Sequence, residues 1–248
     1  FRTALLFLAT IVACSCTTES NNTHLATDRA QPFNAIAAGQ FGLDEAEVAQ
    51  IRREMQRAVD VGHISGALLW VGNGNGIGLL ESVGTQTQDS STPVTTDTIF
   101  RIYSMTKPII SVAAMSLVES GQLGLDDPVS DSLPSFLGLQ VIDSATGDIR
   151  PAINTMTIRH LLTHQSGIVQ QPFAMNTPLG PLYRDSFPDV LTRPDPEAVD
   201  ARFMETFNTI SIQELAARIG QLPVLFEPGT AWHYGHSTDV LGAVLEVA

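Results

Sequence analysis

Between Ile109 and Val118 the chain is apolar on almost every side, and a helix of that kind must be packed by neighbours rather than laid on a surface. Gly121 marks a natural stop just beyond it. The segment is therefore expected to form a buried central helix. The residues ahead of it are equally distinctive. Lys and Arg total 13, and Lys107 is the sole lysine among them. A guanidinium keeps its proton near neutral pH, whereas an amine can give it up when desolvated or set beside another cation. Codon drift toward GC explains the scarcity of lysine, but not its position at the head of this helix.

Ser104-Met-Thr-Lys107 has the form Ser-x-x-Lys. Residues three apart on a helix share a side, so hydroxyl and amine come within reach of each other. Serine is a poor nucleophile without a base. A lysine amine can serve if burial and the positive helix end lower its pKa. The bland reading of the same residues is a serine N-cap followed by a solvated lysine.

The balance of charge excludes other classes of function. A formal charge of −13 and a pI near 4.7, with no basic run, do not suit a nucleic-acid binder, which needs clustered cations to displace counterions. Hydrophobic residues make up 44% of the 248, enough to bury a core in one large domain or two small ones.

At the start, Phe1-Arg2-Thr3, an apolar run from Ala4 to Ala13 and then Cys14-Ser-Cys16 read as a secretory signal. Ile11-Val-Ala-Cys14 resembles a bacterial lipobox, which makes Cys14 a candidate for lipidation. The expectation is an exported, periplasmic or outer-membrane-anchored bacterial lipoprotein; an ordinary signal peptide with incidental cysteines is the alternative. Residues 1–16 are thus read as the signal, 17–40 as a polar tether, and 41–248 as the folded domain. No cysteine follows Cys16, so the folded part has neither a disulfide nor a thiol nucleophile.

Along the folded part, the spacing of Val48, Ile51, Met55 and Val59 predicts a surface helix from Asp44. Residues 66–71 and 77–83 are strand candidates around a Gly-Asn turn that lacks the spacing of a phosphate loop. Short helices are expected over 158–163 and 212–219, and another from Asp239 onward. Residues 170–201, rich in Pro and Asp, read as a long surface excursion of the kind that forms site walls. The last helix meets Ala248 with no capping residue. We therefore expect a truncated chain, a raggedly ending exposed helix being the alternative.

Phe100-Arg-Ile-Tyr-Ser-Met-Thr-Lys-Pro-Ile109 resembles the nucleophile segment of the serine β-lactamase and penicillin-binding-protein superfamily. Within it, the likeness is greatest to the class C β-lactamase-like branch that includes the family VIII carboxylesterases. Three further segments match in order: Leu123–Val129, Thr157-Ile-Arg-His-Leu-Leu-Thr-His-Gln-Ser-Gly-Ile168, and Phe226-Glu-Pro-Gly-Thr-Ala-Trp-His-Tyr-Gly-His-Ser237. The resemblance implies an α+β fold: an antiparallel sheet flanked by helices plus a helical subdomain, present here as the N-terminal part. It implies that Tyr234 is the second catalytic group, so that lysine or tyrosine could be the base; a core tyrosine after a Pro-Gly turn is the structural alternative. The usual β-lactamase pattern continues Tyr-Ser/Ala-Asn, whereas here it is Tyr234-Gly-His236. Losing that amide favours esters over β-lactams and leaves His236 either as a substrate contact or as a packed histidine.

The implied activity is hydrolysis of short-chain carboxylic esters through a Ser104 acyl-enzyme, without cofactor or metal. The alternatives are β-lactamase or D-Ala-D-Ala carboxypeptidase action on a small molecule, and a non-catalytic envelope lipoprotein. A second oxyanion-hole donor is expected on a Lys/His-x-Gly strand after Ala248, so the piece itself is expected to be inactive. His160 and His164 stand four apart as in a zinc helix, but Leu161 occupies the place of the required Glu; the resemblance makes both structural. A Ser-His-Asp triad through His233 or His236 remains open from sequence.

Overall fold

The computed structural model describes residues 38–74, 76–170, 177–187 and 210–248. Cys14, the expected signal and most of the expected tether lie outside the described residues. The described residues divide into two compact units, one ending at Tyr103 and one beginning at Ser104.

In the first unit, helix α1 (Glu45–Asp60) begins at Asp44, whose side chain accepts from the Glu47 N–H while the Glu47 carboxylate accepts from the Asp44 N–H. This reciprocal pairing satisfies two otherwise orphaned donors of the first turn. Strands β1 (Gly66–Asn73) and β2 (Gly76–Gly84) form an antiparallel hairpin running from Gly66 opposite Gly84 to Asn73 opposite Gly76, with a register shift between Val71 and Gly72. An Arg52–Glu81 ion pair at 2.6 Å ties α1 to β2.

The second unit is mostly helical: α2 (Thr106–Glu119), α3 (Val129–Ser132), α4 (Ile158–Leu162), α5 (Gly180–Ser186), α6 (Ile212–Gly220) and α7 (Ser237–Val247). A small antiparallel pair, β3 (Gln140–Ile142) and β4 (Ile149–Pro151), was not foreseen from the sequence; three-residue strands carry too little alternation to read.

The central helix is α7, not α2. Val240, Leu241, Ala243 and Val244 are fully buried, and α7 packs on α2, α4 and α6. Of α2, only Ala114 is fully buried; Ile110, Leu117 and Val118 turn toward the core, while Ile109, Val112 and Met115 are exposed. The expectation of a helix buried all round is thus corrected. An all-round apolar pattern says that a helix can be covered on every side, not that each side is covered here.

A second correction concerns part of the excursion expected over 170–201, most of which lies outside the described residues. Its described part, residues 177–187, contains α5, and Leu179, Tyr183 and Phe187 are almost wholly buried at intervals of four. The two rings stack at 6.0 Å between centroids, and Tyr183 Oη donates to the Val169 carbonyl at 3.2 Å. Burial pushes that phenol's pKa well above its ordinary value. Prolines and acids around this stretch hid a helical period of one face. Among the described residues no helix is long and apolar enough to cross a membrane.

Candidate active site

Ser104 lies in a single 3-10 turn, Tyr103–Met105, that leads directly into α2. Its neighbour Tyr103 has φ of 42°, a left-handed backbone that a bulky residue adopts at a cost. The turn leaves the Ser104 hydroxyl exposed and faces it toward Lys107, whose Nζ donates to Ser104 Oγ at 3.5 Å. Lys107 itself is half-buried.

Tyr234 reaches the same oxygen from the far end of the chain. Its Oη donates to Ser104 Oγ at 2.6 Å, and Lys107 Nζ sits 4.7 Å from the centre of its ring. A cation over the face of a phenol ring is attracted by the ring's quadrupole. Ser104, Lys107 and Tyr234 are therefore brought together, with one hydroxyl oxygen between an amine and a phenol.

The segment carrying Tyr234 is held rung by rung. The Val224 N–H donates to the Gln140 carbonyl and the Ile142 N–H to the Val224 carbonyl, at 2.8 and 3.0 Å. Further on, the N–H groups of Leu225, Gly229 and His233 donate to the carbonyls of Gly167, Gln165 and His164, at 2.9, 2.8 and 3.0 Å. The turn at Glu227 is locked to β4 and the residues after it. The carboxylate pairs with Arg150 and accepts from the N–H groups of Ile153 and Asn154, the latter at 3.2 Å, while Asn154 Nδ2 donates to the Pro228 carbonyl at 3.0 Å. Burial raises the pKa of Glu227, but the Arg150 and backbone donors outweigh it and hold the carboxyl below its usual value. The residue after the phenol has to be glycine: a Cβ on Gly235 would lie 2.2 Å from the Ile168 carbonyl oxygen.

Behind Tyr234, the His164 ring stacks on the phenol ring at 4.9 Å and 28°, and meets Trp232 edge-on at 6.2 Å. The two histidines of the former zinc-like pair thus have different surroundings. His160 Nδ1 accepts from the Thr157 N–H at 3.2 Å, closing the first turn of α4. Burial, followed by the charge of Arg159, lowers the His160 pKa.

His236 precedes α7 and is only 4% exposed; its Nδ1 lies 2.9 Å from Asp239 Oδ2. Burial raises the pKa of Asp239, yet hydrogen bonding and charge from His236, together with the charge of Lys107, hold it below the ordinary value. Sequence reasoning set His164 aside as structural and read Asp239 only as the start of a helix. Neither was tied to Tyr234, because both meet the site only through the packing of α7 and the residues following α4. Ser166 Oγ and Ser237 Oγ, both fully buried, lie 2.8 Å apart and fix α7 against the same segment.

Chemically, the arrangement offers an accessible hydroxyl with a phenol in hydrogen-bond contact and an amine beside it. These are the elements of nucleophilic acyl transfer.

Residues 51–248 match the protein-family model described as Beta-lactamase. Among curated relatives, Protein Rv1367c of Mycobacterium tuberculosis is 31% identical over 198 residues, covering 77% of this chain and 43% of that protein. Esterase EstB of Burkholderia gladioli is 32% identical over 209 residues, covering 84% of this chain and 47% of its own length. Among solved structures, EstCE1, described as a hydrolase with promiscuous acyltransferase activity, superposes with a TM-score of 0.59 at 29% identity, over 80% of this chain and 46% of that one. The chain therefore spans under half the length of each of these proteins, and it shares their β-lactamase/transpeptidase-like fold.

Proposed function

Since this chain belongs to the beta-lactamase family, we propose that it carries the nucleophile, the amine and the phenol of a serine acyl-hydrolase whose substrates are short-chain carboxylic esters. The observation that carries this reading is the convergence of Tyr234 Oη and Lys107 Nζ on Ser104 Oγ, at 2.6 and 3.5 Å. The esterase relative and the hydrolase among the solved structures support the ester class.

In the proposed reaction, Tyr234 first gives up its own proton to solvent; Ser104 Oγ then attacks the ester carbonyl carbon, and the Ser104 proton passes to the resulting phenolate. Lys107, over the phenol ring, stabilises that phenolate with its charge. The Oγ–C bond forms, the alkoxide leaves with the proton returned by Tyr234, and an acyl-enzyme remains. Water then gives its proton to the same phenolate and its oxygen to the acyl carbon; as the acyl–Oγ bond breaks, Tyr234 returns that proton to Ser104 Oγ, which releases the acid and restores the hydroxyl. We assign the direct proton transfer to Tyr234 rather than Lys107 because the phenol oxygen is the closer of the two. Attack by an alcohol in place of water would turn the same intermediate into acyl transfer, an activity named for the structural relative EstCE1.

Intact-mass spectrometry of the full-length protein mixed with a p-nitrophenyl ester, a penicillin or a fluorophosphonate tests the reading. A single adduct on Ser104 from the ester and the phosphonate, absent in Ser104→Ala, is the expected result. A penicillin adduct that turns over would move the assignment to β-lactam hydrolysis. Absence of any adduct would leave a non-catalytic binding protein. Lipidation of Cys14 is a separate proposal, read by the mass of the mature N-terminus.

A further inference from the structure

His164 combines two features that cost stability. Its φ is 55°, one of only two left-handed non-glycine residues among those described. Its Nδ1 is buried and has no hydrogen-bond partner among the described residues. Asparagine or glycine would adopt this backbone with less strain, and an apolar side chain would leave no orphaned nitrogen. Costs of this kind persist where the surrounding structure over-determines them, and they cluster at functional sites.

What His164 contributes in return is contact with three consecutive residues. Its ring meets the Trp232 ring edge-on, its carbonyl accepts from the His233 N–H at 3.0 Å, and its ring lies flat against Tyr234. One residue thus fixes both the backbone just ahead of Tyr234 and the face of its phenol. The opposite demand comes from Lys107, 4.7 Å from the centre of the same phenol ring. Burial, and then the charge of Lys107, lower the pKa of His164, which keeps the ring neutral beside that cation.

We propose that His164 is a positioning residue: its stacked imidazole and its backbone carbonyl together set the Tyr234 oxygen against Ser104 Oγ. The inference rests on the reading of Tyr234 as the proton acceptor only for its kinetic consequence; the placement of the ring is a matter of geometry alone.

Two variants separate the ring from the backbone. His164→Asn keeps a residue that tolerates the left-handed conformation and removes the ring, whereas His164→Phe restores a flat ring without nitrogens. The chain has three tyrosines, so 13C relaxation of labelled tyrosine rings, with Tyr234 identified by Tyr234→Phe, reports the order of this phenol directly. We expect an ordered Tyr234 ring in the parent and in His164→Phe, and a mobile one in His164→Asn with unchanged melting temperature. Phosphonylation of Ser104 should then slow by about 10- to 100-fold in its limiting rate in His164→Asn, at constant probe affinity, and recover most of that loss in His164→Phe. A Tyr234 ring equally ordered in His164→Asn would overturn the proposal. If the full-length protein takes no phosphonate, the nucleophile reading fails and the relaxation measurement alone decides the role of His164. If His164→Phe does not fold, the contrast between the parent and His164→Asn carries the same decision.

Discussion

Tyr234 Oη and Ser104 Oγ are 2.6 Å apart although 130 residues separate them in sequence. Lys107, only three residues from the serine, stands farther off at 3.5 Å. The group that touches the nucleophile most closely is thus the one that folding, and not local spacing, delivers. Replacing Tyr234 with Phe removes the phenol oxygen and keeps the ring under Lys107. We expect Ser104 phosphonylation to slow by about 10²- to 10⁴-fold, the usual contribution of a positioned general base, with an unchanged melting curve.

Lys107→Arg keeps a positive charge while enlarging the group and fixing its proton. If the amine acts only as a charge, part of the activity should survive; if it shuttles a proton, the loss should match that of Tyr234→Phe. The distances lead us to expect the first outcome, with Lys107→Arg falling by about tenfold less than Tyr234→Phe. Comparing the two labelling rates under one set of conditions decides between them.

Glu227 is the clamp of the segment that carries Tyr234. Its side chain is 14% exposed and answers Arg150 and two backbone donors. Glu227→Ala strands those donors and should cost about 1–2 kcal/mol in urea unfolding. Glu227→Gln, which still accepts from Ile153 and Asn154, should cost less.

The buried Ser166–Ser237 contact, at 2.8 Å, also includes the Ile168 N–H, which donates to Ser166 Oγ at 3.1 Å. Ser166→Ala leaves both the Ser237 hydroxyl and that N–H without a partner, so about 1–3 kcal/mol of stability should be lost. Ser237→Ala spares the Ile168 bond and should cost less. The double variant should cost less than the sum of the two, since one interaction is removed twice.

Acid should act in two stages. His160 and His164 have folded pKa values held below the ordinary imidazole value of 6.5, so the unfolded chain binds their protons first. Their contribution is complete above that pH and is lost as pH falls from it toward their lowered folded values. Glu227 and Asp239 are also depressed, so their contribution is present above the usual carboxylate range and is lost as pH falls through their folded values. Melting temperature should therefore decline in two steps between neutral pH and strong acid. In His164→Asn the upper step should shrink, and a profile with the upper step unaltered would show that His164 is not part of it.

The local chemistry was written in the sequence. The three-residue spacing of Ser104 and Lys107, the capping pair at Asp44 and Glu47 and the hairpin from Gly66 to Gly84 follow from backbone geometry that a short segment carries within itself. Tyr234 could be named only through likeness to a family, since no period connects it to Ser104. Only the tertiary structure decided that α7 rather than α2 is the buried helix, that residues 177–187 hold a helix with one buried face, and that His164 lies flat against the phenol. The reason is physical. Short-range geometry is set by covalent bonds and nearest turns, whereas which apolar face is covered, and which ring ends beside which, is settled by competition among distant segments for the same space.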